Sequence, residues 1–226
     1  MNQVEWSHRA VANSHRYEGI LVRLCFTMIL LGYFLVWLPQ PVAGLSFIGL
    51  EMGEWVKFIP EVRSGEVIPS RNFFYLPPIL LGSMIAIWTA GWPNNRWQSW
   101  IARLLAVAVG FLALPAIESI SEESPGQWLP RLAMVGFVIV IVLIASYYSS
   151  RETIPHTVPW LYFIILGLLG AILPIWTYLA IKPFVETLMG GAVGFGPGIW
   201  LNLIGNILLI LLGISLLLRR HPHGLG

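Results

Sequence analysis

Glu51, Glu54 and Lys57 recur at three-residue spacing in GLSFIGLEMGEWVKFI, residues 44–59, a stretch that is otherwise oily. On a helix at about 100° per residue they share an arc of roughly 120°. Ile48, Met52, Trp55, Val56 and Ile59 fall on another arc, while Phe47, Leu50 and Phe58 intrude on the polar side. Two carboxylates with a cation could do acid/base work, bind a ligand or a partner, or simply face water. Three charges at mid-bilayer would cost about 2.5–3.5 kcal/mol each. A helix lying in the interface avoids that cost by sinking only its apolar face. The stretch is therefore expected to lie on the membrane, with its charged face solvated. Two glutamates without a third group make a weak catalytic motif, so no catalytic residue is assigned.

Glu118 heads a second acidic cluster with Glu122 and Glu123 in AIESISEESPG. Carboxylates there could gather cations at an entrance, or form an ordinary acidic loop. Asn202 and Asn206 are four apart in an apolar run. Their amides share a helix face and can glue helices together or hold a ligand. The histidines (His8, His15, His156, His221 and His223) all lie in tails or a loop, so neither an intramembrane haem nor a metal site is expected. Cys25 is the single cysteine, which excludes an intramolecular disulfide and a cysteine metal cluster. No HExxH, GxSxG, Walker or CxxC motif occurs, and no cofactor is indicated.

The elements that must position these residues follow from composition. Of 226 residues, 57% are hydrophobic and 11% charged, and the mean hydropathy is +0.75. Soluble domains carry about 25% charged residues. The chain is expected to be all-α and polytopic, with spans near residues 20–38, 73–92, 100–117, 128–148, 158–181 and 199–218. Each suits a hydrocarbon core of roughly 30 Å. The organisation predicted is a cytoplasmic amphipathic segment over 1–19, a six-span domain over 20–218 and a short tail over 219–226. The largest connection, 39–72, is expected to carry the interfacial helix and then a hairpin-like polar segment. PQP at 39–41 ends the first span, because proline cannot continue a helix.

With both termini in the cytoplasm, eight of the Lys and Arg residues fall inside and five outside, the sense the positive-inside rule requires. A bacterial cytoplasmic membrane is the expected location. Arg9, Arg16 and Arg23 would form a basic face for anionic lipid headgroups. Arg23 and Arg103, near cytoplasmic span ends, are expected to snorkel outward. Small residues at Ala102, Ala106 and Gly110, and at Gly167 and Ala171, predict close helix packing. Because mid-span ionisable groups are scarce, proton relays and many ion-coupled transporters are disfavoured. The expected role is a non-catalytic subunit, assembly factor or scaffold. Its partners would be membrane lipids and other membrane subunits or a second copy, with no nucleic acid. A small transporter or channel component with an acidic outer vestibule is the alternative, and an interfacial enzyme a further one.

Overall fold

The first helix, α1 (Gln3–Phe34), enters the apolar region near Ile20 and stops where the sequence turns to Val36-Trp37. β-Branched and aromatic residues favour an extended chain, and Pro39 holds Leu38 extended. The result is a small antiparallel hairpin of β1 (Val36–Gln40) and β2 (Leu45–Ile48), absent from the all-α expectation. The computed structural model describes residues 3–40, 45–149, 155 and 157–219. Side chains are described from Tyr17 onward, except those of Gln40, Leu45, Glu118, Ser119 and Glu122. Trp37 sits at the irregularity in the β1 register and is fully buried. Its indole N–H donates to the Gly32 carbonyl at 2.8 Å, and its own carbonyl accepts from the Gly196 N–H at 2.9 Å. One aromatic residue thus pins the hairpin to two helix ends.

The rest of the long connection is not one helix. α2 (Gly49–Trp55) passes into a 3₁₀ turn at Val56–Phe58 and then α3 (Pro60–Arg63). Gly65 reverses the chain at φ +81°, a conformation that favours glycine. The expected hairpin-like segment is instead this turn followed by irregular chain with bends at Val67 and Pro69. Ser70 then accepts from the Asn72 N–H at 3.3 Å, starting a 3₁₀ helix at Arg71–Tyr75. That helix runs into α4 (Leu76–Thr89), whose Pro77 and Pro78 occupy the first turn, where a missing N–H costs little.

α5 (Trp97–Phe111), α6 (Ile117–Glu122), α7 (Pro125–Ser149), α8 (Thr157–Met189) and α9 (Pro197–Arg219) complete the chain. α8 runs eight residues beyond the expected 181 and ends before Gly190, at φ +67°. Among the described residues, five helical segments are long and apolar enough to cross a membrane: Tyr17–Phe34, Arg71–Thr89, Pro125–Ser149, Thr157–Met189 and Pro197–Arg219. The third expected span is shorter than predicted. At 15 residues, α5 reaches about 22 Å.

α4 is the hub. It packs against α1, α5, α7 and α8, and twelve of its 14 residues are buried, as a helix apolar on all sides should be. α9 lies between α1 and α8. Two layers of contacts fix the directions of the central helices. On the side bearing the 36–75 connection, Tyr75 before α4, Ala113 and Leu114 after α5, and Arg131 early in α7 meet. On the far side, Thr89 ends α4, Arg103 lies early in α5, and Asn94 donates to the Ser146 carbonyl near the end of α7. α5 therefore joins the same two layers as α4 and α7, antiparallel to both.

Candidate functional site

The apolar side of the connection plugs the loop-side mouth of the bundle. Met52, Val56 and Ile59 are fully buried with Tyr33, Trp37, Phe74 and Tyr178. Burying that side turns Glu54 and Lys57 toward the helices rather than toward solvent. Gly53 makes this possible: a Cβ there would overlap the Tyr75 ring. Its carbonyl also accepts from Arg71 Nη1 at 3.3 Å.

A continuous polar network results. Glu54 Oε1 accepts from the Tyr75 hydroxyl at 2.8 Å and from Arg131 Nη1 at 2.5 Å. Its Oε2 accepts from Lys57 Nζ at 3.1 Å. The same ammonium donates to Glu123 Oε1 at 2.8 Å. Glu123 Oε2 accepts from Arg71 Nη2 at 2.6 Å, and that nitrogen also reaches Gln127 Oε1 at 3.3 Å. Arg131 is 2% exposed. Its Nε and Nη2 donate to the Ala113 and Leu114 carbonyls at 3.1 and 2.8 Å, and its guanidinium lies 3.8 Å from the Tyr75 ring centre. Those carbonyls follow the end of α5. One guanidinium thus joins three segments through hydrogen bonds and an aromatic face.

Burial alone would raise the Glu54 carboxyl. The Tyr75 hydrogen bond and the Arg131 and Lys57 cations outweigh it and hold the group below its ordinary 4.5. Burial alone would raise Glu123 too, but Lys57 and Arg71 hold it below 4.5 as well. Burial lowers Lys57, and its two carboxylate partners more than reverse this, raising it above 10.5. All three groups are therefore charged at neutral pH. A carboxylate held low and already given three donors is a poor general acid. The arrangement is suited to holding segments together.

The linkage to stability has a definite sign. Depressed carboxyls stabilise the fold above their ordinary 4.5, and that contribution is lost as pH falls through the lower folded values. The raised lysine stabilises below 10.5 and loses its contribution only above that. The unfolding temperature in detergent should be flat across mildly acidic and neutral pH and fall on the acid side of 4.5. The double variant E54Q/E123Q should be less stable at neutrality and show a shallower acid limb. An unchanged acid limb would show that these carboxylates are not the titrating lock.

The remaining expected residues lie elsewhere. Glu51 is exposed and reaches back to accept from the Ile48 N–H at 3.1 Å. It caps α2 and does not join Glu54. The side chains of Glu118, Arg9 and Arg16 lie outside the described residues. Asn202 and Asn206 are buried in the bundle. Asn206 Nδ2 donates to the Asn202 carbonyl at 2.9 Å, and Asn202 Nδ2 to the Ile29 carbonyl of α1 at 3.4 Å. Gly110 abuts Val138 of α7, and Gly167 abuts Ile210 of α9. Ala106 and Ala171 are buried, while Ala102 faces a groove.

Arg103 departs from expectation. It turns inward, 1% exposed, donating to Asn94 Oδ1 at 2.5 Å and to the Thr89 carbonyl at 3.4 Å. Two acceptors at the end of α4 replace the headgroups it was expected to reach. Arg71, Tyr75 and Arg131 are the network members the pattern did not single out, while Glu123, read as part of an acidic cluster, is paired with Lys57 and Arg71. Arg131 carried a usable signal: it lies in an apolar helix, where a charge requires a partner.

The bundle and its apolar helices define an integral, multi-pass, mainly helical membrane protein, with one small hairpin among the described residues. The loop-side network ties the 36–75 connection to the helices through paired charges. Compared with protein families, curated proteins and solved structures, the chain matches none.

Proposed function

We propose that the protein is a non-catalytic subunit or scaffold of a larger assembly in a bacterial cytoplasmic membrane. In this reading α5 completes six crossings, both termini are cytoplasmic and the charge-locked connection is external. Lys and Arg counts favour that orientation. A helix of about 22 Å can cross where the bilayer thins locally, at a cost of fractions of a kcal/mol per Å.

One observation carries the functional reading. Glu54, Lys57, Arg71, Glu123 and Arg131 spend their charges on one another. An acidic vestibule would leave carboxylates facing open space, and an acid/base centre would leave one near neutrality. The network instead gives a rigid loop-side cap on a bundle whose central helix is packed on all sides. Such a body is suited to presenting fixed surfaces to neighbours.

Gentle detergent extraction followed by native mass spectrometry tests this. The expected result is a defined stoichiometric complex with another membrane protein or a second copy. A strict monomer that moves solutes across liposomes by itself would overturn the reading in favour of a transporter.

A further inference from the structure

A laterally open groove of about 730 Å³ runs between α1 and α5, with α4 as its floor. Its chemistry is graded along its length. Arg23, Arg96 and Gln98 stand at the end where α4 gives way to α5. Leu30, Leu81 and Val109 line the other end. Arg23 to Leu30 along α1 is about 10 Å, and Gln98 to Val109 along α5 is about 16 Å.

The polar side chains deeper in the groove are already used. Thr27 donates to the Arg23 carbonyl at 2.9 Å, and Ser99 to the Pro93 carbonyl at 2.8 Å. Among the described residues no carboxylate pairs with Arg23 or Arg96. Arg23 lies 5.6 Å from the Trp88 ring centre, a contact that orients its guanidinium without cancelling its charge.

We propose that this groove is a site for one anionic phospholipid. One acyl chain lies along Phe26, Leu81 and Leu105, and the phosphate sits between Arg23 and Arg96. An apolar trough with paired cations at one end matches an amphiphile whose single negative group is at its head. The inference goes beyond the proposed role and does not depend on which partner that role requires.

The test is native mass spectrometry of the full-length protein from mixed micelles holding equimolar dioleoyl phosphatidylglycerol and dioleoyl phosphatidylcholine. One phosphatidylglycerol should be retained in preference by about tenfold or more. R23Q/R96Q should abolish the preference while leaving the unfolding temperature near wild type. A102F, which fills the trough and keeps both arginines, should reduce retention of the first lipid of either kind. Should R23Q/R96Q fold poorly, R23K/R96K keeps the charge and should retain the preference. Glycerol 3-phosphate, which has the head but no chain, should not compete. Equal retention of the two lipids would overturn the proposal, as would an A102F variant indistinguishable from wild type. Competition by glycerol 3-phosphate at the lipid's concentration would reduce the site to one for free phosphate and overturn the acyl-chain assignment.

Discussion

Arg131→Ala should lower the unfolding temperature by about 6–15 °C and release the 36–75 connection from the bundle. The magnitude follows from what the guanidinium holds. Removing one partner of a buried ion pair costs about 3–5 kcal/mol, and a protein of this size loses about 2–4 °C per kcal/mol. The other partner, Glu54, is 34% exposed. Water can screen part of its stranded charge, which places the result toward the lower part of that range. The Ala113 and Leu114 carbonyls would also lose their donors, and Tyr75 its cation. Val56 reports the release, being fully buried on the inner side of the connection. In a V56C background, an impermeant maleimide should label Arg131→Ala much faster than the parent, while Cys25 stays protected in the bundle. Arg131→Lys should rescue little, since an ammonium cannot reproduce the planar fork toward Glu54 and both carbonyls. E54L/R131M should recover much of the loss, because apolar pairs often replace buried ion pairs at little cost. If Arg131→Ala melted like wild type and left Val56 protected, the network would be ornament on a fold held by apolar contacts alone.

The fold was legible where the bilayer dictates sequence. Apolar runs near 20 residues betray spans regardless of what they pack against, so α1, α4, α7, α8 and α9 could be located from the chain alone. Ends were harder. The fifth run was expected to close near 181, yet α8 continues to Met189 and pairs Lys182 with Glu186 at 3.4 Å, one turn on. The connection was harder again. The wheel for residues 47–59 assumed one continuous α-helix, but the backbone tightens to 3₁₀ at Val56–Phe58. In a 3₁₀ turn residues three apart eclipse. Lys57 lies in that turn and Glu54 in the α-helix before it, so the pair straddles a change of pitch that a single wheel ignores.

The site was legible only in half. Glu54 and Lys57 are close in sequence and invited attention. Their partners Glu123 and Arg131 lie 66 and 77 positions away, and no local pattern encodes such pairings. What a sequence can offer there is a question: where does a charge in an oily helix find its counter-charge? Arg103 and Arg131 both posed it. Each was answered by acceptors from neighbouring helix ends, Thr89 with Asn94 in one case and Ala113 with Leu114 in the other. Snorkelling, the reading given to Arg103, needs no partner and so hid its answer.

Gly32→Ala should destabilise the protein strongly, although it adds one methyl group. α1 and α9 touch backbone to backbone here, with no side chain between them to yield. A Cβ on Gly32 would stand 2.5 Å from the Asn202 nitrogen and 2.9 Å from the Gly198 carbonyl oxygen. A Cβ on Gly198 would stand 2.6 Å from the Gly32 oxygen. Neither main chain can move without shifting a whole helix. Separation would also stretch the Asn202 to Ile29 hydrogen bond, already 3.4 Å, and expose buried amides to hydrocarbon. Overpacking of this kind costs about 1–3 kcal/mol and more where the neighbour is rigid. Gly136 of α7 supplies the contrast, because its Cβ would meet nothing within 4 Å. There the same substitution should be neutral or stabilise by up to about 1 kcal/mol, since alanine is the better helix former. Thermal unfolding of G32A and G136A in one detergent reads both signs side by side. The small-residue stripes that stood out in the sequence were Ala102-Ala106-Gly110 and Gly167-Ala171. The α1–α9 crossing uses one glycine from each helix, Gly32 and Gly198, and equal melting of the two variants would refute that assignment.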